Sequence, residues 1–312
     1  MKAAVLEHYG DPSEFKIKEV DAPTIEDGQI LIRNRASSVN PVDVLVRQGK
    51  MRLVSGLFGE QIIGCDFAGT VVESRSSRFK AGDEVFGCKS PMAGHTYAEL
   101  VAVDADVAAL KPETISFTEA ASLPTTALTA WQGLLKEGEL KSGDQVLING
   151  CTGGVGVAAV QIAKSLGATV TGTCQGDHAE TARELGCDQV INYETEPIPK
   201  DNRYALIFDA AGKLTFSDVE DSLTPDGLLV TTKPDATDFA SAVSSLIDLA
   251  KPRMKLVIVS ANAPDLMHVK DLVESGKLRP LIAQTFPLEQ VGPAHQMLET
   301  DDFVGKITLE IT

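Results

Sequence analysis

The run Gly150-Cys151-Thr152-Gly153-Gly154-Val155-Gly156 carries the clearest chemical signal in the chain. A short apolar stretch, Gln145-Val146-Leu147-Ile148-Asn149, leads into it, and a helical pattern from Val155 to Leu166 follows, ended by Gly167. Glycines between a strand and a helix let a phosphate reach backbone N–H groups at the helix N-terminus, where any Cβ would stand in the way. Gly153 and Gly154 suit that approach, and Gly156 suits close packing of helix on strand. The spacing departs from G-x-G-x-x-G. Aligned on Gly153 and Gly156, Cys151 takes the place of the first glycine, and Gly150 stands one residue earlier. The strand–turn–helix setting supports a dinucleotide against the plainer reading of a tight turn.

An acid that binds the ribose 2′-hydroxyl is expected about 20 residues further on, at the tip of the second strand. That tip reads Thr173-Cys174-Gln175-Gly176, and Asp177 comes late. Without the acid a 2′-phosphate is not rejected, which favours NADP(H) over NAD(H). No Lys or Arg stands at the tip, which leaves His178 and Arg183 as candidates to meet the phosphate. No G-x-S-x-G run is present, so a serine hydrolase is not indicated.

The elements around the turn fall into two textures. Residues 1 to about 110 read as short strands with glycines and prolines at roughly ten-residue spacing, the pattern of an antiparallel β domain. From Glu119 the chain turns Ala/Leu-rich and helical. Strands at 145–149, 169–173, 190–192, 205–208, 228–231 and 256–259 then alternate with helices, among them Thr181 to Leu185, which Gly186 ends. Near-continuous apolar strands in that alternation predict a parallel sheet covered on both faces. The fold class expected is α/β: a doubly wound parallel sheet plus a mainly antiparallel β domain. A helix from Leu266 to Ser275 and a strand at Lys306-Ile307-Thr308-Leu309 close the chain, and this tail is expected to return to the first domain.

The 312 residues suit two domains, and 43% hydrophobic content supplies large buried layers. A net charge of −16 repels phosphate backbones and anionic lipids, which argues against nucleic acid or membrane as a partner. Cysteines at 65, 88, 151, 174 and 187 form no C-x-x-C pair, so no zinc lobe or disulfide framework is signalled. Scattered thiols, no secretory leader pattern and no long apolar run make the cytoplasm the expected compartment.

Taken in order, further runs resemble a known family: Ser38-Val39-Asn40-Pro41-Val42-Asp43 with Arg47 and Gly49, Gly64-Cys65-Asp66-Phe67-Ala68-Gly69, Gly82-Asp83-Glu84-Val85, and Ala120-Ala121-Ser122-Leu123-Pro124. Gly153-Gly154-Val155-Gly156 with Gln161, Val190-Ile191-Asn192-Tyr193, Glu274-Ser275-Gly276-Lys277-Leu278 and Gly305-Lys306-Ile307 complete the series. The sequence resembles the medium-chain dehydrogenase/reductase superfamily in its zinc-free quinone oxidoreductase (zeta-crystallin-like) branch, over nearly the whole chain. The resemblance implies a GroES-like catalytic domain over 1–118 and 264–312 and a Rossmann domain over 119–263. An active-site cleft between them and a homodimer are implied as well.

It also implies roles. Asn40 positions substrate and the nicotinamide, and Thr129 lies close to the nicotinamide. Gly150, Thr152, Gly153, Gly154, Val155, Gly156 and Cys174 border the cofactor. Tyr193 flanks the adenosine, and His178 stands where many relatives have a phosphate-binding Lys. Zinc-dependent relatives place a Cys where Asn40 stands and a His-Glu pair where Cys65-Asp66 stands, so no metal is expected; His95 reads as a solvated loop residue. Leu45 and Met51 stand where bacterial quinone reductases often carry tyrosines, which makes the substrate pocket more apolar and leaves solvent as the proton source. The implied activity is an NAD(P)H-dependent, zinc-independent oxidoreductase passing a hydride to a small electrophile, a quinone or an α,β-unsaturated carbonyl. The alternatives are a non-catalytic NADPH-binding redox sensor or structural protein, and a zinc alcohol dehydrogenase.

Overall fold

A computed structural model describes residues 1–51, 59–91, 94–201, 203–232, 251–300 and 302–312. In chain order its strands are β1 (Lys2–Leu6), β2 (Phe15–Glu19), β3 (Gln29–Val39), β4 (Gln61–Ile62), β5 (Asp66–Ser74), β6 (Glu84–Cys88), β7 (Leu100–Asp104) and β8 (Ala108–Leu110). They continue as β9 (Gln145–Asn149), β10 (Thr169–Cys174), β11 (Gln189–Asn192), β12 (Tyr204–Asp209), β13 (Leu223–Thr231), β14 (Met254–Leu256), β15 (Ile282–Pro287) and β16 (Lys306–Glu310). The chain divides into two compact units. One comprises Met1–Thr125, Ser260–Ser275 and Pro280–Thr312; the other comprises Thr126–Val259 and Gly276–Arg279.

The second unit is built on one sheet in the order β11-β10-β9-β12-β13-β14, every pair parallel. This is the order of the doubly wound dinucleotide fold, whose ligand sites lie at the carboxyl ends of the strands where the order reverses. Apolar, two-sided burial explains the central strands. Val146, Leu147 and Ile148 of β9 and Leu206, Ile207 and Phe208 of β12 are sealed from solvent. The helix after the glycine turn spans Gly154–Ser165, and the one before Gly186 spans Ala179–Glu184.

The last strand of this sheet lies earlier than its apolar residues suggest. The expected strand at 256–259 is instead Met254–Leu256. The ladder with β13 pairs Leu229 with Met254 and ends at Thr231 with Leu256, where β13 itself ends. Val257 donates a final N–H to Thr231 O (3.0 Å) and stays buried, while Ile258 is 79% exposed.

In the first unit β3 is the spine. It pairs antiparallel with β16, β5 and β7 within the sheet β15-β16-β3-β5-β6-β8, and β2-β1-β4 forms a second sheet. The antiparallel β domain is therefore present, and β16 from the chain's end lies beside the strand that carries Val39 at its tip. One core collects Leu6, Phe15, Val46, Tyr97, Phe286, Leu288 and Ile307; another collects Ile30, Ile32, Phe67, Val71, Val85 and Val101. The helix Ala263–Glu274 starts ahead of the expected 266–275 because Asn262 caps it, accepting from Asp265 N–H at 2.9 Å. Residues 52–58 and 233–250 lie outside the described residues.

Candidate functional site

The glycine turn follows β9 directly. Gly150 has φ +77°, the left-handed region that favours glycine, and a Cβ there would meet Ala211 Cβ at 2.9 Å. A Cβ on Gly156 would be driven into the carbonyl oxygen of Gly150, so this glycine is required by the packing of turn on helix. Gly153 differs from both. It has φ −73°, it is exposed, and a Cβ would meet nothing nearer than Gly150 O at 3.6 Å. Gly153 is also the N-cap, so the first turn of the Gly154–Ser165 helix has no side-chain cap for its N–H groups. The fold does not need a glycine at 153; a phosphate seated on those N–H groups would.

A directional hydrogen-bond chain fixes this turn from below. Asp209 Oδ1 accepts from Asn149 Nδ2 (2.8 Å), Asn149 Oδ1 accepts from Thr173 Oγ1 (2.6 Å), and Thr173 Oγ1 accepts from Gly150 N (3.0 Å). Asp209 Oδ2 takes Thr231 Oγ1 (3.1 Å) and Leu214 N (2.9 Å). The carboxyl ends of β9, β10, β12 and β13 are thus joined through one polar residue each. Motif reading missed these four; the available signal was a polar residue ending each otherwise apolar strand.

Around the same strand ends lie other residues expected here. Thr152 is buried, and Val155 is half-buried. Cys174, at the end of β10, is buried and turned toward Cys151. His178 closes a 3-10 turn just beyond β10 and is half-buried, with Arg183 exposed on the following helix. Tyr193 follows β11, donates its N–H to Cys174 O (3.2 Å) and is 54% exposed. Thr129 lies on the helix Pro124–Trp131 of this unit and is buried.

The first unit holds a separate polar centre around Asn40. Asn40 is 2% exposed and caps the helix Pro41–Arg47 in a capping box with Asp43. Its Nδ2 donates to Asp66 Oδ2 (2.8 Å) and to Asp43 Oδ2 (3.3 Å), and its Oδ1 accepts from Lys306 Nζ (2.8 Å). The amide is therefore held on both sides by internal partners. Lys306 Nζ also donates to Val39 O at 2.7 Å. Asp66 Oδ1 accepts from Thr125 N (2.8 Å) and Oγ1 (2.7 Å), and Asp66 Oδ2 accepts from Ser38 Oγ (2.6 Å). Cys65 Sγ donates to Asp43 Oδ1 at 3.2 Å. Leu45 is half-buried on the Pro41–Arg47 helix, while Met51 is half-buried and packs against the core that contains Leu6 and Phe286.

Burial sets the electrostatics of this centre. It pushes the Asp43 carboxyl up from 3.8 to about 6, against the opposing donation from Cys65. It pushes the Cys65 thiol well above its ordinary range, with the Asp43 and Asp66 carboxylates adding to the effect. It lowers Lys306, with Asp66 and Asp43 pulling the other way. Among the described residues no group of three or more His, Cys, Asp or Glu side chains is placed to hold a metal ion.

The sequence matches two family models: the alcohol dehydrogenase GroES-like domain over residues 26–129 and the zinc-binding dehydrogenase over residues 185–309. The mitochondrial NAD(P)H oxidoreductase RTN4IP1 of Homo sapiens is 31% identical, with 100% of this chain and 89% of that protein covered. The chain belongs to the medium-chain dehydrogenase/reductase superfamily. Its quinone oxidoreductase branch fits, and this dehydrogenase/reductase is an oxidoreductase enzyme. A chloroplastic NADPH-dependent alkenal/one oxidoreductase of Arabidopsis thaliana is 32% identical to it over 99% of this chain and 79% of that protein. The quinone oxidoreductase from Coxiella burnetii superposes with a TM-score of 0.88 at 31% identity, covering 100% of this chain and 99% of that one. Among the described residues of this dehydrogenase/reductase, no helix is long and apolar enough to cross a membrane.

Proposed function

We propose that this protein is an NADPH-dependent, zinc-independent reductase that passes a hydride to a quinone or to the β-carbon of an α,β-unsaturated carbonyl. Gly153 carries the reading: it is a glycine that the turn does not require, at the uncapped start of the helix that follows the switch-point strand β9. The pyrophosphate belongs on the N–H groups of Gly154, Val155 and Gly156. Tyr193 belongs beside the adenosine, His178 near the 2′-phosphate and Thr129 near the nicotinamide. Bound NADPH would supply the hydride; the protein binds it, orients it and keeps water from the reacting carbon. NADPH is preferred to NADH because the tip of β10 offers no carboxylate, and the Cys174 side chain there turns inward.

Zinc independence is supported by the donor set. A catalytic zinc takes three protein ligands, with thiolate or neutral imidazole favoured. Here an amide stands at Asn40, the Cys65 thiol keeps its proton on Asp43, and the Lys306 ammonium reaches into the same cluster. No step is derived through a metal. Asn40 is assigned a positioning role within its own unit. Leu45 is assigned to an apolar acceptor pocket and Met51 to its margin, and solvent supplies the proton. A homodimer is the assembly we assign, with the short edge strand β14 and exposed Ile258 beside it. Five free thiols suit a reducing compartment such as the cytoplasm.

The test is titration with NADPH and NADH, followed by NADPH oxidation across a panel of quinones and enones in protein dialysed against chelator. Tighter NADPH binding and turnover that survives the chelator are expected. Tight binding without turnover of any acceptor would favour a non-catalytic NADPH sensor, and activity that returns only with zinc would sink the metal-free reading.

A further inference from the structure

Asp66 opens β5 and is sealed from solvent, yet four hydrogen bonds end on its two carboxylate oxygens. Oδ1 accepts from Thr125 N (2.8 Å) and Thr125 Oγ1 (2.7 Å). Oδ2 accepts from Asn40 Nδ2 (2.8 Å) and Ser38 Oγ (2.6 Å). One oxygen thus serves the start of the helix Pro124–Trp131, and the other serves the tip of β3 and the residue after it. The hydride chemistry proposed above gives Asp66 no task.

We propose that Asp66 is a positioning residue for hydride transfer: its carboxylate fixes the Asn40 amide with one oxygen and, with the other, the helix that carries Thr129. The hydrogen bonds stand by themselves. Their bearing on hydride transfer rests on the reading above, in which Asn40 and Thr129 serve the nicotinamide.

One arm reaches the helix. Pro124 opens it and has no N–H, so the Thr125 N–H is the first that the helix can offer. Asp66, 59 residues earlier in the chain, takes it. A carboxylate there also meets the positive end of the helix dipole. Thr129 stands four residues on, about 6 Å along the axis and on the same face as Thr125. A single hydrogen-bonded turn separates the two, so a shift at Thr125 is carried to Thr129.

The other arm has a fixed direction. Lys306 Nζ can only donate, so the oxygen of the Asn40 amide faces it (2.8 Å) and Nδ2 faces Asp66. The Thr125 N–H can only donate as well. Each oxygen of Asp66 therefore meets a group that cannot accept. A carboxylate satisfies both, and a carboxamide of the same shape cannot. Asp66→Asn turns an NH₂ either on the Thr125 N–H or on the Asn40 NH₂. In the first case the helix start is pushed away. In the second the Asn40 amide must flip, and its NH₂ then faces the Lys306 ammonium. A buried carboxylate carries a desolvation cost that an apolar residue does not; what it adds here is a set direction at both ends.

The experiment loads wild type and Asp66→Asn with NADPH and mixes each, in a stopped-flow instrument, with the quinone or enone that wild type turns over fastest. NADPH absorbance then follows a single turnover. The rate constant reports positioning, and the amplitude reports how much protein is folded and loaded. Asp66→Asn should lower the rate constant about tenfold or more, as misplaced reactants do. NADPH affinity should change far less, because the glycine turn is held by Asp209, Asn149 and Thr173 instead. Thr125→Val removes one donation and keeps the N–H, so it tests the helix arm even if Asp66→Asn does not fold. Its rate constant should fall several-fold, and Thr125→Ser, which keeps both donations, should recover most of the loss.

A wild-type rate constant with a reduced amplitude in Asp66→Asn would make the residue purely structural and overturn the proposal. So would a loss of NADPH affinity as large as the loss of rate, a wild-type rate constant in Thr125→Val, or a serine variant as slow as the valine one. If wild type passes hydride to no acceptor of the panel, the reductase reading itself fails and the role of Asp66 falls with it.

Discussion

Asp43 and His295 are linked through one phenol oxygen. Tyr97 Oη lies 3.2 Å from Asp43 Oδ2 and 3.2 Å from His295 Nε2, all three buried. The phenol has one proton, which goes to the carboxylate. His295 must then donate from Nε2, leaving Nδ1 without a hydrogen-bond partner among the described residues. Burial lowers His295 from 6.5 to about 3, with Arg47 adding to it, and raises Asp43 from 3.8 to about 6.

The two shifts act on stability with opposite sign. Folded His295 binds fewer protons than unfolded, so its contribution is full above 6.5 and is lost as pH falls toward 3. Folded Asp43 binds more protons than unfolded, so its contribution is full below 3.8 and is lost as pH rises through 6. From pH 4 to 6 the slopes oppose each other. Relative to wild type, Asp43→Asn should gain about 1.4 kcal/mol of stability per pH unit across that window, and His295→Gln should lose about as much. Urea unfolding at pH 4, 5 and 6 reads this directly, and curves parallel to wild type for both variants would refute it.

Gly153 and Gly156 should separate binding from folding. An alanine at 156 meets the Gly150 carbonyl, a backbone atom that cannot swing aside. Gly156→Ala should cost roughly 1–3 kcal/mol or more, as overpacking at a fixed backbone does. An alanine at 153 has room and an ordinary φ, so Gly153→Ala should keep the wild-type melting temperature within about 2 °C. It should weaken NADPH tenfold or more. Equal loss of stability in the two variants would remove the argument built on Gly153.

How far the sequence was readable follows from the range of each interaction. The glycine turn is local, and so are the apolar strands. Alternation and spacing were enough for a parallel sheet, and the two-texture chain was enough for a separate antiparallel domain. The strand at 256–259 was misplaced because hydrophobicity cannot tell where a neighbouring strand runs out. Asn40 shows the deeper limit. Its motif carried a role toward substrate and nicotinamide; what no motif carries is that its amide is engaged by Asp66 and by Lys306, a residue 266 positions away. Asn149, Thr173, Asp209 and Thr231 are equally silent in sequence, since their partnership depends on strand order.

Lys306 offers a test of the Asn40 centre. Lys306→Met keeps the apolar stem but removes both donations, leaving Val39 O and Asn40 Oδ1 buried without that partner. The expected cost is roughly 2–4 kcal/mol. Because the lysine also orients the amide, turnover should fall more than the affinity for NADPH. An enzyme that loses NADPH affinity in proportion to turnover would show that Lys306 acts on the fold at large.

The chain from Asp209 to Gly150 has a polarity that can be reversed. Only a group that accepts with both oxygens can take Asn149 Nδ2 on one side and Leu214 N with Thr231 Oγ1 on the other. Asp209→Asn puts an N–H₂ where one acceptor stood. If it faces Asn149, that amide must flip, its Nδ2 then faces Thr173 Oγ1, and the threonine proton loses its acceptor. The Gly150 N–H at the end of the chain meets a rearranged partner. Asp209→Asn should therefore cost about 1–3 kcal/mol and weaken NADPH several-fold, though nearly isosteric. Thr173→Val cuts the same chain lower down, so the double variant should lose less than the two single losses added together. Urea unfolding and NADPH titration of the four proteins measure this, and strict additivity would mean that the strand ends act separately and not as one support for the turn.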